Sequence, residues 1–204
     1  MSVLAGAGAA ALFGAAGYAG AFAARRICDT IVPPAGGPRP GRPAVAMLVV
    51  CACAAGLIAG LRGAGLPELV LAAVLCCALV GIWYSDVRSG VVPDVFTLIP
   101  LALVLGLACL SHQWGVPASA GIVFVPFAVA ALASRGLGMG WGDVKLVALG
   151  GAVLGWEAAI LAFGCACALA VIVALARKRR HEPLAFAPYL VAAIALPLTA
   201  GLPS

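Results

Sequence analysis

The feature that most constrains this chain is a succession of long apolar runs, separated by short clusters of Gly, Pro and charged residues. A helix needs about 20 predominantly apolar residues to cross a bilayer core. The interruptions divide the chain into candidate spans at 3–24, 44–61, 67–85, 95–110, 118–134, 144–156, 158–176 and 184–202. We therefore predict an all-α fold, a polytopic membrane bundle of about eight transmembrane helices. Six or seven crossings stay open, because 144–156 reaches only about 20 Å at 1.5 Å per residue.

The composition agrees with a chain that lies in lipid. Hydrophobic residues make up 65% of the sequence and charged residues 9%, whereas soluble domains are roughly half apolar and one quarter charged. A sizeable soluble domain does not fit beside the candidate spans. We expect one membrane-embedded domain over residues 1–204, with an irregular Pro- and Gly-rich loop at 25–43.

The basic residues predict the orientation. When the loops are assigned alternately to the two sides, only Arg62 falls on one side, and eleven of the twelve basic residues fall on the other. Such an excess marks the cytoplasmic side of a membrane protein. The net charge of +5 is thus interpreted as a topology signal, and nucleic acid is not an expected partner. The basic residues on the predicted cytoplasmic side are Arg25, Arg26, Arg39, Arg42, Arg88, Arg135, Lys145, Arg177, Lys178, Arg179 and Arg180.

The chain has seven acidic residues, and acidic groups at span edges are costly unless they serve a function. Asp29, Glu68, Glu157 and Glu182 lie in predicted loops or at loop edges, where solvated surface charge is the expected role. That leaves Asp86, Asp94 and Asp143.

Asp86 ends the third apolar run, and Asp94 follows Pro93 at the start of the fourth. Taken alone, Asp86 is also compatible with a helix-end carboxylate that pairs with Arg88. Asp94 is predicted to cap the next helix by accepting from its free backbone N–H groups.

Asp143 ends a stretch with glycine at 136, 138, 140 and 142. The missing side chains of Gly140 and Gly142 would let another chain approach the backbone closely. A flexible linker with a capping aspartate is the simpler alternative. Lys145 follows, and we consider three roles for it: anchoring the helix at the lipid headgroups, which we favour, holding a substrate carbonyl, or tuning the neighbouring carboxylate.

Asp86 and Asp143 fall on the same predicted side. Two carboxylates close together in a poorly solvated cleft share one proton, which is the machinery of an aspartic protease. One member takes a proton from water and the other stabilises the oxyanion. No metal or other cofactor is expected, since His112 and His181 lie on opposite sides and the cysteine spacings match no zinc site.

The segment from Ser85 to Asp94, together with Gly140-Trp-Gly-Asp-Val-Lys-Leu146, resembles the type 4 prepilin peptidases of the GxGD class. Members carry the first aspartate ahead of an Ile-Pro-Asn-like turn and the second in Gly-x-Gly-Asp followed by x-Lys-Leu. Weaker similarities are GYAGAFAARR at 17–26 and LAFAPYLVAA at 184–193. The resemblance implies that Asp86 and Asp143 are catalytic and that Gly140, Gly142 and Lys145 support them.

The resemblance also implies a substrate and a location. The substrate would be a type IV prepilin or pseudopilin precursor, cut after a Gly at the cytoplasmic face of the inner membrane, in association with a pilus or secretion machine. The sequence departs from the family pattern in two places. The loop at 25–43 contains one cysteine, Cys28, where many members have a four-cysteine zinc insertion, so N-methylation is in doubt. Asp94 stands where an Asn is usual.

Three alternatives remain open. In a small transporter or channel, Asp86 and Asp143 would bind ions, which predicts inverted repeats and acidic groups near the bilayer midplane. A non-catalytic scaffold of a secretion apparatus is the second alternative, but it gives no reason for a Gly-rich run that ends in Asp at a span edge. A related GxGD enzyme with other peptide substrates shares the mechanism. The oligomeric state is not predicted.

Overall fold

The computed structural model describes residues 3–31, 41–133, 140–176 and 186–200 of the chain. These residues form helices and contain no strand. The helices are α1 Val3–Ile31, α2 Arg42–Leu61, α3 Leu66–Ser89, α4 Asp94–Leu110, α5 Gly115–Ala133, α6 Trp141–Leu154, α7 Trp156–Ala176 and α8 Ala187–Ala200.

The predicted helical membrane bundle is confirmed, because each predicted span corresponds to one helix. Within the described residues, α1, α2, α3, α5 and α7 are long and apolar enough to cross a membrane. The apolar helices α4 and α8 are shorter. The exact number of crossings stays a prediction.

The main difference from the predicted boundaries is the end of α1. The loop was expected to begin at residue 25, but the helix continues to Ile31. Two side-chain contacts lie in its last turns. The Thr30 hydroxyl donates to the carbonyl of Arg26 at 2.9 Å, and the Arg25 Nε atom lies 3.9 Å from the Asp29 Oδ2 atom one turn later. Charges at i and i+4 stabilise a helix, so these charged residues extend the helix beyond the apolar run. The predicted loop residues 32–40 lie outside the described residues.

The chain divides into two compact units, Met1–Gly90 and Val91–Ser204. The single domain over residues 1–204 stays a prediction. In the first unit, α1 packs against α2 and α3. A Cβ on Gly20 would lie 2.1 Å from the backbone oxygen of Cys77, and one on Gly56 would lie 2.5 Å from that of Ala9. The close approach of these backbones therefore depends on glycine, as is common in membrane helix packing.

In the second unit, α6 is the buried element. Val144, Leu146, Val147 and Leu149 have no exposed surface, and α4, α5, α7 and α8 all pack against this helix. Gly151 contributes to this packing, because a Cβ there would lie only 3.0 Å from the Ser119 oxygen of α5. A helix that is apolar on all sides is expected at the centre of such a bundle. The fold thus surrounds the body of α6, and in its first turn the buried Val144 packs with Ala128 and Ala131 of α5.

Candidate active site

Asp143 lies in the first turn of α6, three residues after the N-cap Gly140. The extended backbone of Gly140, with φ −75° and ψ 149°, leads directly into the helix, and the Gly140 carbonyl accepts from the Asp143 N–H at 3.1 Å. The Asp143 side chain is half-buried and accepts from the Gly140 backbone N–H. The alternative prediction that Asp143 is the N-cap of this helix is wrong, because Gly140 occupies the N-cap.

Burial has the largest effect on the pKa of the Asp143 carboxyl. It raises the pKa from 3.8 to about 6, and the hydrogen bond from the Gly140 backbone partly opposes this shift. The residue precedes the predicted span 144–156, and α6 is not among the helices long enough to cross a membrane. A carboxyl group with a pKa near 6 can gain or lose a proton close to neutral pH, as acid–base catalysis requires.

The two glycines beside Asp143 have different surroundings. A Cβ on Gly142 would lie 2.7 Å from the Cβ of Val92, which precedes α4, and 3.5 Å from its carbonyl oxygen. A Cβ on Gly140 would meet the Asp143 Oδ2 atom at 3.6 Å, an ordinary van der Waals distance. Gly142 is therefore required by a close backbone approach, whereas Gly140 has space for a methyl group among the described residues.

The first turn of α6 also pairs with the start of α4. The Lys145 ammonium donates to the Asp94 Oδ1 atom at 2.6 Å, with 29% of the Lys145 side chain and 60% of the Asp94 side chain exposed. The predicted capping role of Asp94 is wrong, because Pro93 occupies the N-cap of α4 and Asp94 is its first helical residue. The structure thus identifies Asp94 as a partner of Lys145, and the three predicted roles of Lys145 stay predictions.

Asp86 lies in the last turns of α3 and is only 7% exposed. The helix ends at Ser89, and Gly90, with φ 64°, donates its N–H to the Asp86 carbonyl at 2.8 Å. A positive φ favours glycine, which explains why this residue ends the helix. An aspartate buried to this degree is rare unless it has partners or a function.

Arg88 follows Asp86 by two residues and joins α3 to α1. Its guanidinium donates to Asp29 and to the Arg25 carbonyl at 3.5 Å, and only 12% of the side chain is exposed. The prediction that Asp29 lies in a loop is therefore wrong, because the residue belongs to α1. The prediction that its charge is at the surface is confirmed, since 37% of the side chain is exposed. The signal in the sequence was weak: Asp29 lies four residues after Arg25, the spacing of a helical ion pair.

Asp86 belongs to the first compact unit and Asp143 to the second. Both aspartates, Gly140, Gly142 and Lys145 were identified from the sequence. Val92 was not, because its contact with Gly142 joins residues 50 positions apart and has no local signal.

Comparison with known proteins relates these residues to a family. The model of the type IV leader peptidase family matches residues 73–175, a segment that contains both Asp86 and Asp143. The chain belongs to this family. The resemblance found in the sequence is confirmed, and this type IV leader peptidase family member is a multi-pass membrane protein.

Curated relatives agree. The chain is 40% identical over 171 residues to a protein named prepilin leader peptidase/N-methyltransferase from Burkholderia pseudomallei strain 1026b. The same values apply to the protein of that name from strain K96243. The similarity covers 74% of this chain and 52% of the relative, so the leader peptidase family member spans about half the length of these relatives. No solved structure matches it.

Proposed function

We propose that this chain is an aspartic endopeptidase that removes the leader peptide from type IV prepilin or pseudopilin precursors, with Asp86 and Asp143 as its catalytic pair. The observation that carries the proposal is the family match over residues 73–175, because it includes both aspartates. The half-buried carboxyl of Asp143, with its pKa raised to about 6, supports the proposal independently. An aspartic protease needs one carboxyl that keeps its proton and one that is ionised.

The proposed reaction follows from these two protonation states. The ionised carboxylate takes a proton from water as the water oxygen attacks the scissile carbonyl carbon, and the protonated carboxyl donates a hydrogen bond to the developing oxyanion. When the tetrahedral intermediate collapses, the C–N bond breaks and the leaving amine takes a proton from the pair. The products are a free carboxylate and a free amine. We assign the pair as a unit, because coupled carboxyls titrate together.

The proposed location is the inner membrane, with the active site facing the cytoplasm. Charges within each unit support this orientation. In the first unit, Arg88 at the end of α3 contacts Asp29 and Arg25 at the end of α1, so these two helix ends share one side. In the second unit, Lys145 at the start of α6 contacts Asp94 at the start of α4. In each unit a basic residue thus lies at a helix end that the predicted topology assigns to the cytoplasm.

The proposed substrate has a short basic leader that ends in Gly, followed by an apolar helix. The apolar helix would stay in the bilayer, and the leader would reach the aspartates from the cytoplasmic side. A pilus or secretion machine is the expected partner. N-methylation belongs to the name of the relatives, and it is not part of this proposal.

The experiment that tests the function is co-expression of the chain with such a precursor, followed by detection of the shortened product. We expect cleavage by the wild type and none by Asp86→Asn or Asp143→Asn, with all three proteins inserted at similar levels. Glu157→Gln is the matched control, because it removes an exposed negative charge in the first turn of α7. Cleavage by either aspartate variant at the wild-type rate would refute the catalytic pair.

A further inference from the structure

The helices that carry Asp86 and Asp143 share a local arrangement. Each aspartate is followed by Val and then by a basic residue, as Asp86-Val-Arg88 and Asp143-Val-Lys145. In each unit that basic residue forms an ion pair with an aspartate of another helix. Arg88 pairs with Asp29 of α1, and Lys145 pairs with Asp94 of α4.

We propose that these two ion pairs are positioning elements for the catalytic carboxyls, and this inference rests on the proposed function. Arg88 and Asp29 would set the rotation of the α3 end, and Lys145 and Asp94 that of the α6 start. None of the four residues is assigned to the reaction itself.

The spacing of two residues explains how such an ion pair acts. Successive residues of an α-helix are about 100° apart, so residues n and n+2 point in directions about 200° apart. The ion pair therefore lies on the side of the helix away from the aspartate. It restricts the rotation of the helix end, and hence the direction of the carboxyl, without competing for the carboxyl oxygens.

The surroundings of Lys145 favour this role over the alternatives. Its ammonium lies 2.6 Å from Asp94, so one of its three N–H donors is directed to the start of α4. The neighbouring contact of Gly142 with Val92 joins the same two segments. Two contacts on adjacent parts of one turn define the orientation of that turn better than either contact alone.

The exposure of the two pairs predicts which one matters more. Arg88 is 12% exposed and has the Arg25 carbonyl as a second acceptor, whereas Asp94 in the other pair is 60% exposed. Exposed ion pairs contribute little to stability because water screens them. A displacement of about 1 Å at a reacting group can nevertheless lower a rate by about 100-fold. We therefore expect catalysis to be more sensitive than folding.

The test is a double-mutant cycle on Asp94 and Lys145, measured as kcat and KM for cleavage of a purified prepilin. We expect Asp94→Asn and Lys145→Met each to lower kcat by about three- to tenfold with KM unchanged. The double variant should be no slower than either single variant, because breaking the pair once removes the interaction. Lys145→Arg should restore kcat to within about twofold of the wild type, since it keeps the positive charge.

The second pair is tested in the same way. Arg88→Met and Asp29→Asn should each lower kcat by about tenfold or more, again without additivity. Glu157→Gln serves as the control for loss of an exposed charge. Thermal unfolding of each variant separates a loss of fold from a loss of orientation.

The outcomes distinguish the inference from the function on which it rests. If the wild type does not cleave, or if Asp143→Asn does, the proposed function fails. If both of those arms behave as expected but Asp94→Asn and Asp29→Asn have the wild-type kcat, the positioning role fails. A loss in Lys145→Met with full activity in Asp94→Asn would also overturn it, because Lys145 would then act without its partner.

Discussion

The contact between Gly142 and Val92 allows a sharp prediction about the site. Replacing Gly142 with Ala would place a Cβ 2.7 Å from the Cβ of Val92. Carbon atoms in contact are about 3.5 to 4.0 Å apart, so the two segments would have to separate by about 1 Å. Rotating the Val92 side chain cannot relieve this overlap, because the Cβ is attached directly to the backbone.

The expected effect is larger on catalysis than on stability. Overpacking of this kind costs about 1–3 kcal/mol. A shift of about 1 Å in the turn that carries Asp143 can lower the rate by about 100-fold. We therefore expect Gly142→Ala to lower kcat by about 10- to 100-fold, while the folded protein still accumulates.

Gly140→Ala is the matched control. Within the part of the chain that the structure describes, its new Cβ would have its nearest contact at 3.6 Å, with the Asp143 Oδ2 atom. The φ of −75° at this position is accessible to alanine. We expect kcat within about threefold of the wild type, which reflects the ordinary contact distance. The double variant Val92→Gly with Gly142→Ala should be at least about fivefold faster than Gly142→Ala alone, because it removes the overlapping atom.

The assay is the rate of leader removal from a purified prepilin in detergent or proteoliposomes, with thermal unfolding measured in parallel. The reasoning would be refuted if Gly142→Ala and Gly140→Ala had the same kcat. It would also be refuted if Val92→Gly gave no recovery in the Gly142→Ala background.

Three further predictions concern stability. Asp143 has a folded pKa of about 6, above the unfolded value of 3.8, so its contribution to stability is present below pH 4 and lost as the pH rises through 6. The free energy of unfolding of Asp143→Asn should therefore exceed that of the wild type by about 1 kcal/mol at pH 8, a value discounted for partial exposure. The difference should shrink towards pH 4. A difference that does not change with pH would contradict this prediction. Gly20→Ala should lower the melting temperature by several degrees, because its Cβ would lie 2.1 Å from a backbone oxygen, whereas Gly8→Ala, with nothing within 4 Å, should not. Phe163→Ala should lower the free energy of unfolding by about 3–5 kcal/mol. The reason is that this fully buried ring packs edge to face on Phe127, with the ring centroids 6.0 Å apart. A loss below about 1 kcal/mol would show that the core is not packed in this way.

The apolar pattern was sufficient to predict the helices, because lipid imposes a strong and local constraint on the chain. It was not sufficient for helix ends that carry charge. Arg25 and Asp29 were assigned to a loop on polarity alone, yet they lie on one face of a continuing helix. Asp94 was predicted to be the N-cap of α4, but Pro93 occupies the N-cap and Asp94 is the first helical residue.

In the candidate site, too, some features have a local sequence signal and others depend on tertiary contacts. The motif around Asp143 has a local signature, so the sequence identified Gly140, Gly142 and Lys145. The partners of these residues depend on tertiary contacts. Neither the contact of Gly142 with Val92 nor the pair of Lys145 with Asp94 has a signal in the chain, because each joins segments about 50 positions apart. The pair of Arg88 with Asp29 was missed for the same reason.

The central claim is that Asp86 and Asp143 work at one site, and short-range cross-linking tests it directly. The measurement uses Asp86→Cys with Asp143→Cys in a chain whose eight native cysteines are replaced by Ala or Ser. Both thiols must first be shown to react with a small maleimide. We predict rapid cross-linking by a bifunctional thiol reagent that spans about 5 Å, a distance compatible with carboxyls that share a proton. The control Asp86→Cys with Glu157→Cys should give none, because the predicted alternation of loops puts Glu157 on the opposite side of the membrane. Two reactive thiols that fail to cross-link with any reagent up to about 10 Å long would contradict the catalytic pair.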